Sequence, residues 1–196
     1  KKDLRLIAAE APDNGSFSWR VPDDAAAQVK VRVMHALDPR IYDTSDFYFR
    51  IMGAFDITAP NWQEQWPVNS TQEITWRTLG TIPEVRLEYS TDGFAKEIFP
   101  IVDSVKNEGL YAWQVPDHIS RSVKIRVSDV RDSLTRDPSN DTFSVIGQLK
   151  IQRPLRHERW LSGSREELRW NTTGSIATVK LEYQSGVDAF GKGIWF

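Results

Sequence analysis

Apolar residues alternate with polar ones along much of the chain, which is the pattern of half-buried β-strands. Val85, Leu87 and Tyr89, for example, are separated by single charged residues. Turn-forming residues divide the alternating segments from one another, and no stretch shows a helical period. The pattern predicts strands near 55–59, 72–78, 83–90, 96–102, 110–115, 122–128 and 141–147.

Seven short alternating strands within about 100 residues are typical of an immunoglobulin-like β-sandwich. A closed barrel built from the same strands is the alternative. We therefore predict an all-β protein, composed of immunoglobulin-like sandwich domains of about seven strands each.

A single offset of 94 residues relates distant parts of the chain. Over 57–89, 14 of 33 positions are identical to those 94 residues later, without a gap. The segment 19–23 likewise returns, with one substitution, at 113–117. Such self-similarity indicates tandem structural repeats. We expect the C-terminal half of an Ig-like repeat at 1–54, a complete repeat at 55–148 and the N-terminal half of the next repeat at 149–196, all within a longer array.

The predicted repeats are joined by very little chain. Only Gln148 separates the last predicted strand of the complete repeat from the apolar segment that opens the next one. Flexible linkers are long and rich in Gly and Ser, which this join is not. We therefore expect a semi-rigid rod whose length scales with the number of repeats.

Composition narrows the function. The absence of cysteine excludes disulfides and thiolate metal sites. The net charge is −2 and no basic stripe is visible, which argues against nucleic acid as a partner. No apolar run approaches the ~18 residues of a membrane span, so we expect none in this segment. His35, His118 and His157 accompany no nucleophile or metal-ligand motif; we expect surface histidines and no enzyme.

Eight tryptophans suggest a core held by large aromatic side chains. The predicted core contains the recurring pairs Trp19 with Trp113 and Trp76 with Trp170, together with Tyr89, Val123, Ile125, Val127 and Phe143. Trp62 has no tryptophan at the matching position of the next repeat. An exposed indole stacks on sugars or anchors a partner, so Trp62 is the candidate binding residue.

Clustered aspartates suggest the one candidate metal site. Asp129, Asp132, Asp137 and Asp141 surround a single predicted loop beside the join to the next repeat. Carboxylate oxygens are the ligands that Ca²⁺ prefers. Aspartate is also common in solvated turns for its own hydrogen-bonding reasons, which is the alternative. Apart from this calcium we expect no cofactor.

Two sets of residues carry a family resemblance. Ile57-x-x-Pro60, Trp66, Ile74-Thr75-Trp76, Gly80 and Val85-x-Leu87-Glu88-Tyr89-Ser90 resemble the first half of the immunoglobulin-like or fibronectin-III-like repeats of large bacterial cell-surface proteins. They are also similar to the Ig-like domain of yeast cell-wall glucan-assembly proteins. The second half is resembled by Gly109-x-Tyr111-x-Trp113-x-Val115-Pro116 and by the strand Lys124-Ile125-Arg126-Val127-Ser128-Asp129. The resemblance implies an extracellular, cell-surface location and supplies no catalytic residue.

We therefore expect a structural or adhesive spacer in a long, repetitive surface or filament protein. Its partners would be neighbouring repeats or copies of itself, with a cell-surface glycan or protein as a further candidate. Two alternatives stay open. The chain could be a carbohydrate- or protein-binding module of a secreted protein. It could also be a self-assembling filament subunit in which the halves 1–54 and 149–196 of neighbouring copies complete each other by strand addition.

Overall fold

The computed structural model describes residues 4–187 and 193–195, and these residues contain strands, turns and no helix. The predicted all-β class is confirmed. The strands are β1 (Ala26–Val29), β2 (Arg32–Met34), β3 (Tyr42–Thr44), β4 (Phe49–Ile51), β5 (Ala54–Ala59), β6 (Gln65–Pro67), β7 (Thr71–Leu79), β8 (Glu84–Ser90), β9 (Phe99–Lys106), β10 (Leu110–Gln114), β11 (Ser120–Asp129), β12 (Arg136–Pro138), β13 (Phe143–Ile146), β14 (Gln148–Arg153), β15 (Arg169–Thr173), β16 (Gln184–Val187) and β17 (Gly193–Trp195).

Residues 54–146 form a sandwich of two sheets. One sheet has the order β10-β7-β5, and the other has the order β6-β13-β11-β8-β9 with β12 paired to β11. β6 and β13 run parallel, and the other pairs are antiparallel. Two separate sheets in this order give an immunoglobulin-like sandwich, not the closed barrel.

Alternate side chains of the two sheets meet between them and exclude water. Ile57, Ile74, Leu87, Ile125 and Phe143 are each at most 1% exposed. Burial of a large aliphatic or aromatic side chain contributes about 1.5–3 kcal/mol relative to leaving it in water. All of the predicted core residues that lie in the sandwich are buried: Trp76, Tyr89, Trp113, Val123, Ile125, Val127 and Phe143.

An aromatic cluster fills one side of the same core. The ring centroids of Trp66 and Phe143 lie 4.7 Å apart, and those of Tyr89 and Trp113 lie 5.2 Å apart. Both pairs are tilted, an arrangement that aromatic rings prefer to a face-to-face stack. The chain has no cysteine, so this sandwich is stabilised by the packing of indole and phenyl rings without a disulfide.

The predicted strand at 96–102 is displaced toward the C-terminus. The carboxylate of Asp92 accepts hydrogen bonds from the backbone N–H groups of Ala95, Lys96 and Glu97. These donors are unavailable to a sheet, so β9 begins only at Phe99. The alternation also missed β6 and β12, since each has three residues, too few to show a period.

The flanking segments contain smaller sheets. β1 pairs with β4, β2 with β3, β14 with β15 and β16 with β17. Trp19 and Trp170 lie in these segments and are half-buried, whereas we expected core residues. Trp19 contacts Phe49 edge-on at 6.4 Å. In the described flanking residues no second sheet closes over either indole, which is the physical reason for the difference.

No helix in the described residues has the length and apolar character needed to cross a membrane.

Candidate inter-repeat interface

An aspartate before the sandwich is bound to one of its loops. The loop 80–82 follows β7, and Asp23 lies in the turn after Val21-Pro22. Asp23 Oδ1 accepts a hydrogen bond from the Thr81 backbone N–H at 2.9 Å, and Oδ2 accepts one from Thr81 Oγ1 at 2.5 Å. Both carboxylate oxygens are therefore used by a single residue. We call this contact, together with Gly53, the first junction.

The same contact recurs where the sandwich meets the following segment. Asp117 Oδ1 accepts a hydrogen bond from the Ser175 backbone N–H at 2.9 Å, and Oδ2 accepts one from Ser175 Oγ at 2.6 Å. Asp117 lies 94 residues after Asp23, and Ser175 lies 94 residues after Thr81. Serine keeps the hydroxyl that threonine supplies. We call this contact, together with Gly147, the second junction.

Glycines let the chain approach the same loops closely. A Cβ atom on Gly53 would lie 2.8 Å from Ile82 Cδ1, and a Cβ atom on Gly147 would lie 2.8 Å from Ile176 Cδ1. Real Cβ atoms do not tolerate such distances without displacing a neighbour. These two glycines are also 94 residues apart. Each junction therefore has little room for a side chain in its connecting segment.

A second pair of glycines shapes the loops themselves. Gly80 and Gly174 have φ values of +83° and +90°, a conformation that costs other residues energy. A Cβ atom on Gly80 would lie 3.2 Å from Asp23 Oδ1, and one on Gly174 would lie 2.7 Å from Val68 Cγ2. Glycine thus serves both the turn and the close packing across the junction.

Hydrogen bonding favours the ionised form of both junction aspartates. The side-chain hydroxyl of Thr81, followed by its backbone N–H, lowers the pKa of Asp23 below the ordinary value. Ser175 lowers the pKa of Asp117 in the same way. Both aspartates are consequently charged at neutral pH, the state that accepts all four hydrogen bonds.

Asn107, which is half-buried and directly follows β9, holds the loop of the first junction. Its Nδ2 donates to the backbone carbonyl of Ile82 at 2.8 Å. Its Oδ1 accepts from the indole Nε1 of buried Trp76 at 2.8 Å. The loop that receives Asp23 is therefore fixed to the core through one amide side chain.

The first junction also contains charged contacts. Arg50 pairs with Asp132 at 2.8 Å, and the Arg131 guanidinium donates to the Thr81 carbonyl oxygen at 3.2 Å. Ser144 occupies the position 94 residues after Arg50, so this ion pair has no counterpart at the second junction. The ion pair is partly exposed, and exposed pairs contribute little, about 0–1 kcal/mol.

The structure does not gather the predicted calcium ligands. Three of the four carboxylates accept hydrogen bonds from backbone N–H groups: Asp129 from Arg131, Asp137 from Ile57 and Asp141 from Thr142. The fourth, Asp132, accepts a hydrogen bond from the Arg50 guanidinium. Within 4–187 and 193–195, no three acidic or histidine side chains converge as metal ligands. These aspartates instead fix loops and the first junction, which corresponds to the turn alternative.

Trp62 is 81% exposed and lies on an ordered loop. The Glu64 carboxylate accepts hydrogen bonds from the backbone N–H groups of Asn61 and Trp62. Burial opposes ionisation of Glu64, but these donors outweigh it and lower its pKa. The buried Trp66, Trp76 and Trp113 do not extend this surface, so Trp62 does not continue into an aromatic strip with them.

The three histidines have different surroundings. His35 and His157 are exposed, whereas His118 is half-buried, contrary to the prediction that all three lie on the surface. The His118 ring contacts Phe99 edge-on at 4.8 Å, and its Nδ1 lies 3.3 Å from the Tyr89 hydroxyl oxygen. His118 therefore extends the aromatic cluster.

The junction residues were not recognised from the sequence as a site. Asp23 and Gly80 fall within the two segments that recur at the offset of 94 residues, which by itself assigns them no contact. The signal that could have identified them is the recurrence of glycine and aspartate in loops, where a core role does not explain the recurrence.

A scan of protein-family models finds no match to the chain, and a search of curated proteins finds no similar sequence.

Proposed function

We propose that the chain is a structural spacer: a section of a rod of tandem immunoglobulin-like sandwiches in a long extracellular surface or filament protein. The observation that carries this proposal is the recurrence of one set of contacts at both junctions. A reactive or ligand-binding site requires polar groups that point toward a common ligand. The carboxylates of Asp23 and Asp117 instead accept hydrogen bonds from another part of the same chain.

The junctions give the rod its stiffness. Two hydrogen bonds to one carboxylate fix both the distance and the direction of the loop that Asp117 receives. Gly147 leaves no free linker between the sandwich and β14, which begins at the next residue. Because the first junction has the equivalent hydrogen bonds, bending should be restricted at both junctions in the same way.

The alternative of a binding module has one supporting observation, the exposure of Trp62. Carbohydrate-binding surfaces commonly present several aromatic side chains in one plane, and the other sandwich tryptophans are buried. The position that matches Trp62 in the next repeat is Arg156, so an array would not repeat this contact. The spacer function therefore accounts for more of the molecule.

The test is a series of chains with one, two and three additional copies of residues 55–148 inserted after 148. Small-angle X-ray scattering gives the maximum dimension at concentrations where the particle mass equals one chain. A rod lengthens by a constant increment per copy, whereas flexibly joined domains extend roughly as the square root of their number. In a matched series, alanine replaces the aspartate at every position equivalent to Asp117. These chains should bend, so their maximum dimension should increase by less per added copy than in the parent series. A square-root dependence in the parent series would refute the proposed rod.

A further inference from the structure

The outer face of the larger sheet of the sandwich presents charged side chains. On β11, Ile125 and Val127 are buried, so Arg126 between them points away from the core. β11 pairs with β8 on one side and with β12 on the other, and this pairing sets Arg126 between Glu88 and Pro138. The sheet itself therefore fixes the positions of these outer side chains.

This outer face contains an open cleft of about 290 Å³. Three cationic side chains and two apolar ones surround it, and the residues that line it are Gly93, Phe94, Lys124, Arg126, Arg136 and Pro138. None of these residues belongs to either junction. The cleft is therefore a feature for which the spacer function provides no use.

Positive charge exceeds negative charge around the cleft. Arg126 is the paired cation, since it donates two hydrogen bonds to Glu88 Oε2 at 2.8 and 3.0 Å. Lys124 Nζ donates to the neutral backbone carbonyl of Asn140 at 3.1 Å. Arg136 is exposed and has no ion pair within the part of the chain that the structure describes. Two cations without a carboxylate partner thus line one cleft, and clefts lined by one sign of charge attract ions of the other sign.

Phe94 lies beside these cations in an unusual backbone conformation. Its φ is +66°, in the left-handed region that bulky side chains rarely adopt. The hydroxyl oxygen of buried Ser90 accepts a hydrogen bond from the Phe94 backbone N–H at 2.8 Å. The Arg126 guanidinium lies over the phenyl ring, 4.3 Å from its centroid. Residues held in such conformations cluster at sites that bind ligands, and here the conformation places an aromatic ring in a cationic cleft.

Part of this surface recurs 94 residues earlier in the chain. Lys30 and Arg32 are the counterparts of Lys124 and Arg126. The Arg32 guanidinium lies 5.0 Å from the centroid of the Tyr42 ring, so the contact of this arginine with an aromatic ring recurs as well. Outward-facing residues have no core role that would explain their recurrence. Two repeats therefore share a cationic and aromatic surface that the fold alone does not require.

We propose that the cleft binds an acidic polysaccharide, whose carboxylate or sulfate groups pair with Lys124 and Arg136. Ammonium and guanidinium groups form charge-assisted hydrogen bonds with such oxygens. Phe94 and Pro138 supply apolar contact for the C–H groups of the sugar ring. This goes beyond the spacer function, which requires no ligand. A rod that presents such surfaces at successive repeats would bind a long polymer more tightly than one repeat does.

A glycan fits this cleft better than a nucleic acid does. Single-stranded nucleic acids bind by stacking their bases on open aromatic faces, along grooves that are positively charged over several nucleotides. One face of the Phe94 ring is covered by Arg126, and the positive charge is confined to a single cleft in a chain of net charge −2.

Fluorescence anisotropy with labelled oligosaccharides tests the proposal in the full 196-residue chain. An oligogalacturonate carries carboxylates and a heparin oligosaccharide of similar length carries mainly sulfates, so the tighter of the two identifies the preferred acid. At least one should bind, with an affinity that falls as salt is added, and a neutral maltooligosaccharide should not. Absence of binding by both acidic oligosaccharides, or tighter binding of single-stranded DNA of the same net charge, would overturn the proposal.

Single substitutions assign the binding to the cleft. Arg136→Gln and Lys124→Gln should each raise the dissociation constant about tenfold, the loss expected when one charge-assisted hydrogen bond is removed. Arg77→Gln is the matched control, because it removes the same charge from the other sheet, where the side chain is 81% exposed. Its affinity should equal that of the parent, and thermal unfolding verifies that all three variants are folded. Equal weakening by Arg77→Gln would show that the overall charge attracts the polymer and would contradict a site in the cleft.

Discussion

A carboxylate that accepts two hydrogen bonds from one residue is a directional contact, and the chain uses it twice. Asp23 and Asp117 each accept hydrogen bonds from the hydroxyl and the backbone N–H of a residue 58 positions further along the chain. Asparagine has only one acceptor oxygen on its side chain, and glutamate is one methylene longer. Aspartate is therefore the residue that fits this geometry.

The junctions should weaken in acid. Because Thr81 and Ser175 lower the pKa of Asp23 and Asp117, the contribution of both contacts is complete above the ordinary aspartate pKa near 3.9. It declines as the pH falls through the lowered pKa of the folded state, since protonation removes an acceptor. NMR should show faster hydrogen exchange, relative to the intrinsic rate, and shifted amide resonances at Thr81 and Ser175 as the pH falls below about 4.

Asp117→Asn is the control for this titration. This substitution should abolish the pH dependence of the Ser175 amide resonance, because the side chain at position 117 then no longer titrates. The pH dependence of the Thr81 amide resonance should be unchanged. If the amide resonances of Thr81 and Ser175 did not change with pH until the protein unfolds, the two carboxylates would not be what holds the loops.

Individual strands follow from simple alternation, whereas their connections do not. The apolar positions at 85, 87 and 89 predict β8 correctly, because one face of that strand is buried. β9 was misplaced because Asp92 captures backbone N–H groups four and five residues ahead, a local effect without periodicity. The junction was missed for a different reason. Asp23 and Thr81 are 58 residues apart, and nothing in the local pattern of either predicts that they meet.

The loop between β7 and β8 should depend on Asn107. Asn107→Ala leaves the Trp76 indole N–H and the Ile82 carbonyl without this partner. A buried polar group left unsatisfied costs about 1–3 kcal/mol, and since both of these hydrogen bonds are only partly buried we expect the sandwich to lose about 1–2 kcal/mol of stability. Urea denaturation followed by tryptophan fluorescence measures the loss.

Two variants separate the roles of this amide. Asn107→Asp keeps the acceptor for Trp76 and removes the donor to Ile82, and should therefore disturb the loop more than the indole. Glu108→Ala, at an exposed neighbour, should change stability by no more than about 0.5 kcal/mol. Equal stability of Asn107→Ala and Glu108→Ala would contradict the assigned role.

At the scale of the whole molecule, burial is unevenly distributed. Within residues 4–187 and 193–195, the buried hydrophobic core lies between Phe55 and Val145. The flanking segments have regular strand pairs and half-buried tryptophans, but they expose large apolar residues such as Leu37, Phe47 and Leu161. Local unfolding therefore requires the least free energy in the flanking segments and the most in the sandwich.

Limited proteolysis should reveal this distribution. In dilute solution trypsin should cleave the flanks first and leave a resistant fragment close to 54–146, because cleavage requires local opening and few buried contacts oppose opening in the flanks. The intact mass of the surviving fragment identifies its ends. Simultaneous digestion of sandwich and flanks would show that they unfold as one unit, which would contradict the uneven burial.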